Sequence, residues 1–161
     1  MNVATKQLAI FIRDLLTIPE ATINIGRNNF IRDDFNLLQI VVDTLGESKP
    51  LSRSNKFDGT LEETQYSQQW QSPCTVDFYG DDAYDTATDL LLLMQSQLGY
   101  ELQRDNGITI YESSSLTDVK ALTGEQYSQR YQLGLNVQYT LSKTIETLRI
   151  DTAEINIINE V

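Results

Sequence analysis

The alternation of apolar and polar positions is clearest near the C-terminal third of the chain. There Tyr131, Leu133, Leu135, Val137, Tyr139 and Leu141 alternate with Gln132, Gly134, Asn136, Gln138 and Thr140. A period of two sends successive side chains to opposite faces, so this stretch predicts a long antiparallel strand with one face buried and one wet. Between Thr75 and Tyr100 the period changes. Val76 and Phe78 point to one side of a strand, Asp77 and Tyr79 to the other, and Gly80 supplies a permissive backbone for a sharp turn. Ala83, Ala87, Leu90, Leu91, Met94 and Leu98 then fall on one helical face. Asp81 or Asp82 is expected to accept the free N–H groups of the first turn, and Asp85 adds negative charge near the positive end of the helix dipole. The run Leu90 to Leu93 is wider than a single stripe, which predicts a helix covered on two sides, by its own sheet and by a second surface.

The rest of the pattern fills in around these segments. Val3 to Leu16 reads as an amphipathic helix with Ala4, Leu8, Phe11, Ile12 and Leu15 on one face, and Pro19 prevents its continuation. Residues 20 to 35 read as a loop with turn chemistry at Gly26 and Asn28–Asn29; Gly26 with Arg27 lacks the spacing of a phosphate-binding loop. Leu37 to Leu45 is rich in β-branched residues and predicts the first core strand. Gly46 to Gly59 is polar and predicts a hairpin connection or flexible arm. In the next segment Thr60, Glu62, Thr64, Tyr66, Gln68 and Trp70 share one side of an extended chain. A polar strand tipped with two large aromatics suits an arm lying against a neighbouring subunit; the equal alternative is an exposed hairpin with Trp70 tucked onto its own core. Pro73 marks an edge or a bulge. Asn106–Gly107 predicts a turn, residues 108–112 a short strand, and residues 113–124 a loop or a helical turn closed by Gly124. In the tail from Leu148 to Ile158, Ala153, Ile155 and Ile157 face in. The sum is one α+β domain over residues 1–161, a mainly antiparallel sheet with helices on one face and an extended hairpin arm.

Composition mainly removes function classes. Twelve basic against twenty-three acidic residues, net −11, argue against a surface that clamps nucleic acid, because the few Lys and Arg are scattered. The absence of histidine removes Ser–His and Cys–His catalysis and the commonest transition-metal ligand. The single cysteine, Cys74, reads as a small buried hydrophobe and fits a reducing cytoplasm. No apolar run is long enough to cross a membrane as a helix, and Lys6 and Arg13 flank an amphipathic pattern without the cleavage site of a secretory signal. Asp81, Asp82, Asp85 and Asp89 could surround a divalent ion, since Asp85 and Asp89 share a helix face, but N-capping accounts for aspartates at a helix start. The favoured expectation is no catalytic residue, no cofactor and no metal, with a small carboxylate enzyme and a monomeric adaptor as the alternatives.

Two stretches carry a resemblance. V-D-F-Y-G-D-D-A-Y-D-T-A (Val76 to Ala87), followed by Y-S-Q-R-Y-Q-L-G-L-N-V-Q-Y (Tyr127 to Tyr139), resembles the neck or tail-terminator (tail completion) proteins of tailed bacteriophages. The resemblance implies a structural virion protein that forms a ring, usually a hexamer, at the head-proximal end of the tail. Such a ring stops tail-tube polymerisation, joins the tube to the head–tail connector protein and lets DNA pass through its lumen without specific binding. Its partners would be itself, the tail tube protein and the connector, with no membrane, and assembly would take place in the host cytoplasm. On this reading Tyr66, Trp70, Leu92 and Leu93 are the expected subunit-interface residues.

Overall fold

A computed structural model describes residues 2–27, 36–119, 121–123 and 126–147. Its elements run α1 (Val3–Leu16), β1 (Ile23–Ile25), β2 (Gln39–Thr44), β3 (Lys49–Asp58), β4 (Glu63–Tyr79), α2 (Ala83–Met94), α3 (Gln97–Asp105), β5 (Ile108–Glu112), β6 (Thr117–Asp118), β7 (Ala121–Thr123), β8 (Gln126–Ser128) and β9 (Arg130–Glu146). Seven strands form one sheet with the path β1-β2-β4-β9-β5, to which β3 adds on β4 and β6 on β9; β7 and β8 pair separately. Every pairing is antiparallel except β1 with β2. The architecture is the expected α+β layer.

The sheet is built on two 17-residue strands, β4 and β9, paired along their whole length. Alternate residues of both face the helices. Cys74, Val76 and Phe78 join Leu133, Leu135, Val137 and Tyr139, Ile40 and Val42 of β2, and the buried faces of α1 and α2 in one core. In α1 these are Ala4, Leu8, Phe11, Ile12 and Leu15, as periodicity predicts. The Asn2 side chain accepts from the Ala4 N–H at 3.0 Å and caps that helix. Thr17, in a left-handed conformation, ends it before Pro19.

Several expectations need correction. The loop read over residues 20–35 contains β1, whose Ile23 and Ile25 pair with Ile40 and Val42 and pack on the core; three residues are too few for a period to declare itself. Asn28 and Asn29 lie outside the described residues, as do Gly124 and the tail from Leu148. Gly46 to Gly59 holds a ten-residue strand, β3. Thr60 and Glu62 are in the turn between β3 and β4 rather than on a strand; Asp58 accepts from the Thr60 N–H, and Glu62 takes a positive φ. Within residues 113–124, Thr117–Asp118 and Ala121–Thr123 pair as the short strands β6 and β7, residues 113–116 and 119 are loop, and no described residue is helical.

Pro73 is neither at a sheet edge nor in a bulge. It lies inside β4, opposite Asn136 of β9, where the other flank of β4 changes partner from β2 to β3. Its carbonyl accepts from the Leu45 N–H at 2.8 Å, and the N of the same residue faces the same flank, into the gap between those partners. The missing N–H is thus lost where no ladder bond is required.

Neither Asp81 nor Asp82 caps α2. Asp82 occupies the cap position without a side-chain hydrogen bond there. Backbone closes the turn instead, with the Ala83 N–H donating to the Gly80 carbonyl. Gly80 has φ +109°, and a Cβ on it would lie 2.5 Å from the Leu37 carbonyl oxygen, so the chain passes there only without a side chain. Asp85 does sit in the first turn. The single helix predicted through Leu98 breaks at Gln95–Ser96. The Ser96 hydroxyl accepts from the Gly99 N–H and starts α3, and the exposed Leu98 belongs to that helix.

Candidate assembly surface

Opposite the helices, the body of the sheet carries a buried charge. Asp77, on the central strand β4, is fully buried. Its Oδ2 accepts from Arg27 Nε at 2.9 Å and pairs with the second Arg27 nitrogen at 2.7 Å. Its Oδ1 accepts from Arg130 at 3.2 Å and from Gln132 Nε2 at 2.9 Å. Arg27 also donates to Thr75 Oγ1, and the Arg130 guanidinium lies 5.5 Å from the centre of the Tyr79 ring. Four charge-assisted or amide hydrogen bonds satisfy the carboxylate, which is what a buried charge requires. Asp77 belongs to one of the two resemblance stretches and Arg130 and Gln132 to the other; Tyr84 and Tyr131 bring the same stretches together at 5.3 Å. The sequence reading put Asp77 on the side of the strand opposite Val76 and Phe78 but missed its partners. Arg27, read only as part of a turn, gave no signal.

Beyond the helices, β3, β4 from Glu63 to Gln71 and the end of β9 continue as a three-stranded arm. Directly paired residues share a face, so the register sorts its two sides. One side carries the rows Ser54–Ser67–Ser142, Lys56–Gln65–Thr144 and Gln71–Gln138, all polar. Ser67 and Ser142 hydroxyls meet at 2.8 Å. The other side continues the core face of the body, with Arg53–Gln68–Leu141, Asn55–Tyr66–Lys143 and Phe57–Thr64–Ile145. Here Phe57, Tyr66, Leu141 and Ile145 are each about half exposed. Trp70, nearer the body, packs against the core, while Tyr66 stands out on the arm.

The second exposed apolar feature is the outer side of α2. Leu90 and Met94 are buried and Leu91 packs on the core, but Leu92 is 68% and Leu93 37% exposed. The sheet and the neighbouring helices α1 and α3 cover the inner sides of α2, as predicted for a helix covered on two sides, but among the described residues nothing covers Leu92 and the outer part of Leu93. Asp82, Asp85, Asp89 and Leu92 form one outward ridge at helical spacing.

Compared with family profiles, the chain matches that of the phage neck terminator protein over residues 32–161. The chain belongs to the phage neck terminator protein family. No individual curated protein matches it. The matched span contains α2, α3, the whole arm and Asp77 with Arg130 and Gln132; α1 and Arg27 precede it. Membership makes this a structural phage protein of the neck, and the remaining chemistry of the site is in keeping with a surface that joins proteins.

The aspartates that could have held a cation are spread along the exposed side of α2, and among the described residues no three His, Cys, Asp or Glu side chains come together to hold a metal. Cys74 lies buried in the core, where desolvation pushes its thiol up to about 11, with a hydrogen bond from the Ser72 side chain acting in the opposite direction. At neutral pH it is a protonated, buried thiol. No helix among the described residues is long and apolar enough to cross a membrane.

Proposed function

We propose that this neck terminator works as a homomeric ring of six-fold symmetry at the head-proximal end of the tail. There it ends the tail tube, joins it to the head–tail connector and leaves a lumen for DNA. Family membership supports the place in the virion. The observation that carries the ring is the arm: three strands outside the helical layer whose uncovered face keeps Phe57, Tyr66, Leu141 and Ile145 in contact with water. A surface of that kind, on one element of a chain, and an exposed Leu92–Leu93 ridge on another favour head-to-tail contacts between like subunits, which close into a ring when the rotation allows. Tyr66, Leu92 and Leu93 belong to that interface on this reading, and Trp70 anchors the base of the arm beside it. The net charge of −11 keeps DNA phosphates from adhering to the lumen. The role is structural, without catalysis, cofactor or metal, and assembly takes place in the host cytoplasm.

The test is a phage unable to make the protein. Tails are expected to have irregular length and to remain apart from filled heads, with added purified protein restoring joining. Tails of normal length that still join heads would overturn the reading.

A further inference from the structure

The ring proposed above leaves open which surfaces meet, and charge and layer geometry point to one pairing. The body of the sheet is a two-layer structure, strands under helices. On the arm the same face runs on with its rows in register but without a helix above it among the described residues. That face carries two cations, Arg53 and Lys143, amid Phe57, Tyr66, Leu141 and Ile145, and no carboxylate in the rows that join them. Among the described residues neither cation has a salt bridge; Arg53 is held toward Gln68 at 2.6 Å. The ridge of α2 is the converse. Asp82, Asp85 and Asp89 lead to Leu92 and Leu93, and no Lys or Arg occurs anywhere between Lys56 and Arg104.

We infer that the α2 ridge of one copy docks on the core-side face of the arm of the next, and so supplies the helical layer that the arm lacks. The inference rests on the ring reading and specifies it. Dimensions agree. From Gln68 to Thr64 the arm advances about 13 Å at about 3.3 Å per strand residue. From Asp85 to Leu92 the ridge advances about 10 Å at 1.5 Å per helical residue. Leu92 and Leu93 would then be buried against Leu141 and Tyr66, with Asp85 and Asp89 within reach of Arg53 and Lys143. The two surfaces differ and lie on separate elements, so a contact that is not exchanged reciprocally between two copies repeats head to tail and closes as a ring. It also explains why a chain of strong net negative charge associates with itself: each joint brings a locally cationic face to an anionic one, and charge steering of this kind sets register and partner choice.

Charge reversal tests it. In an arm variant, Arg53→Glu and Lys143→Glu; in a helix variant, Asp85→Lys and Asp89→Lys. All four side chains are exposed, so circular dichroism and melting should match the parent protein. Native mass spectrometry at physiological salt should show each variant alone losing the closed oligomer and remaining at the monomer of about 18.3 kDa. Mixed in equal amounts, the two should regain a closed species containing both in equal number, because each reversed surface now finds a complement. Should a reversed variant misfold, the neutral pair Arg53→Gln/Lys143→Gln against Asp85→Asn/Asp89→Asn serves instead, with weakened rather than abolished closure expected in each. Rings that persist in both reversed variants, or a mixture that stays monomeric while the parent closes, would overturn the pairing and leave the ring standing. A parent protein that forms no closed oligomer at any salt or concentration, or on purified tail tubes, would remove the ring and the pairing with it.

Discussion

Asp77→Asn is the substitution that most directly measures what holds the helix-free side of the sheet. Asparagine keeps the shape of the side chain and can still accept from Gln132 Nε2, but it removes the charge that faces Arg27 and Arg130. Hydrogen bonds to a charged group are worth roughly 1.5–3 kcal/mol each, and breaking a buried ion pair from one side costs roughly 3–5 kcal/mol. The full figure does not apply here. The Arg27 side chain is 40% and that of Arg130 22% exposed, so both guanidiniums regain some water when the carboxylate is lost. A loss of about 2–3 kcal/mol is the reasoned outcome, which for a chain of this size is about 4–12 °C in melting temperature.

The assay is urea unfolding followed by tryptophan fluorescence and far-ultraviolet circular dichroism, on Asp77→Asn, Arg130→Gln and the double variant. Arg130 sits in direct contact with Asp77, so the two single losses should not add; a coupling of about 1 kcal/mol or more is expected from the cycle. Arg27→Gln, at a more exposed position, should cost less than Arg130→Gln. A change within about 0.5 kcal/mol for Asp77→Asn, the range of ordinary surface substitutions, would refute the argument that this carboxylate pins β4 to β9 and to the segment after β1.

Two further predictions follow from the core. Leu135→Asp places a charge in the fully buried row opposite Cys74, at a cost of several kcal/mol, and should leave no cooperative folded transition; an unchanged melting temperature would mean that the β4–β9 register is wrong. The Cys74 thiol should resist an aromatic disulfide reagent at pH 8 in the native protein and react once in urea. Because its folded value is raised from 9.0 to about 11, the stability it contributes is complete below pH 9 and fades as pH climbs through 11, which alkaline melting curves would show; rapid native-state labelling at pH 8 would contradict its burial.

Strand identity on this chain was readable because the period is long and clean. Tyr131 to Tyr139 alternates over enough residues to fix both the element and its buried face, and α1 announces itself through five apolar positions and a proline stop. Short or interrupted patterns were not readable. Three residues of β1 look like loop, and Leu98 continues the α2 stripe in sequence although Ser96 starts a new helix beneath it. The candidate surface was half visible. The breadth of Leu90 to Leu93 and the aromatics of the arm signalled uncovered apolar area, but Trp70 and Tyr66 look alike in sequence and differ in structure, since only the reach of the helices decides which is tucked in. The Asp77 cluster needed the register itself: Arg27 comes from 50 residues upstream and Arg130 from 53 downstream, and neither separation follows from any local pattern.

The arm shows why burial cannot be assigned from alternation alone, and why that failure bears on function. Along β9 the apolar phase runs from Tyr131 through Leu141 and, after Lys143, resumes at Ile145, yet Leu133, Leu135 and Val137 are fully buried while Leu141 and Ile145 are about half exposed. The difference lies above the strand. Leu133 to Tyr139 lie under the helices, with β5 or β6 beside much of this stretch; past Tyr139 no described element stands over the same face. A strand meant to stay in water could carry threonine or serine at those positions with little loss of strand preference, as the reverse side of this arm does. Apolar side chains kept in phase beyond the reach of the chain's own helices therefore imply a cover from elsewhere. Amide hydrogen exchange can locate it: the backbone of residues 64–68 and 141–145 should exchange faster in the free subunit than that of residues 74–78, and slow selectively on assembly. Equal protection of the arm before and after assembly would mean that its apolar face meets nothing in the particle.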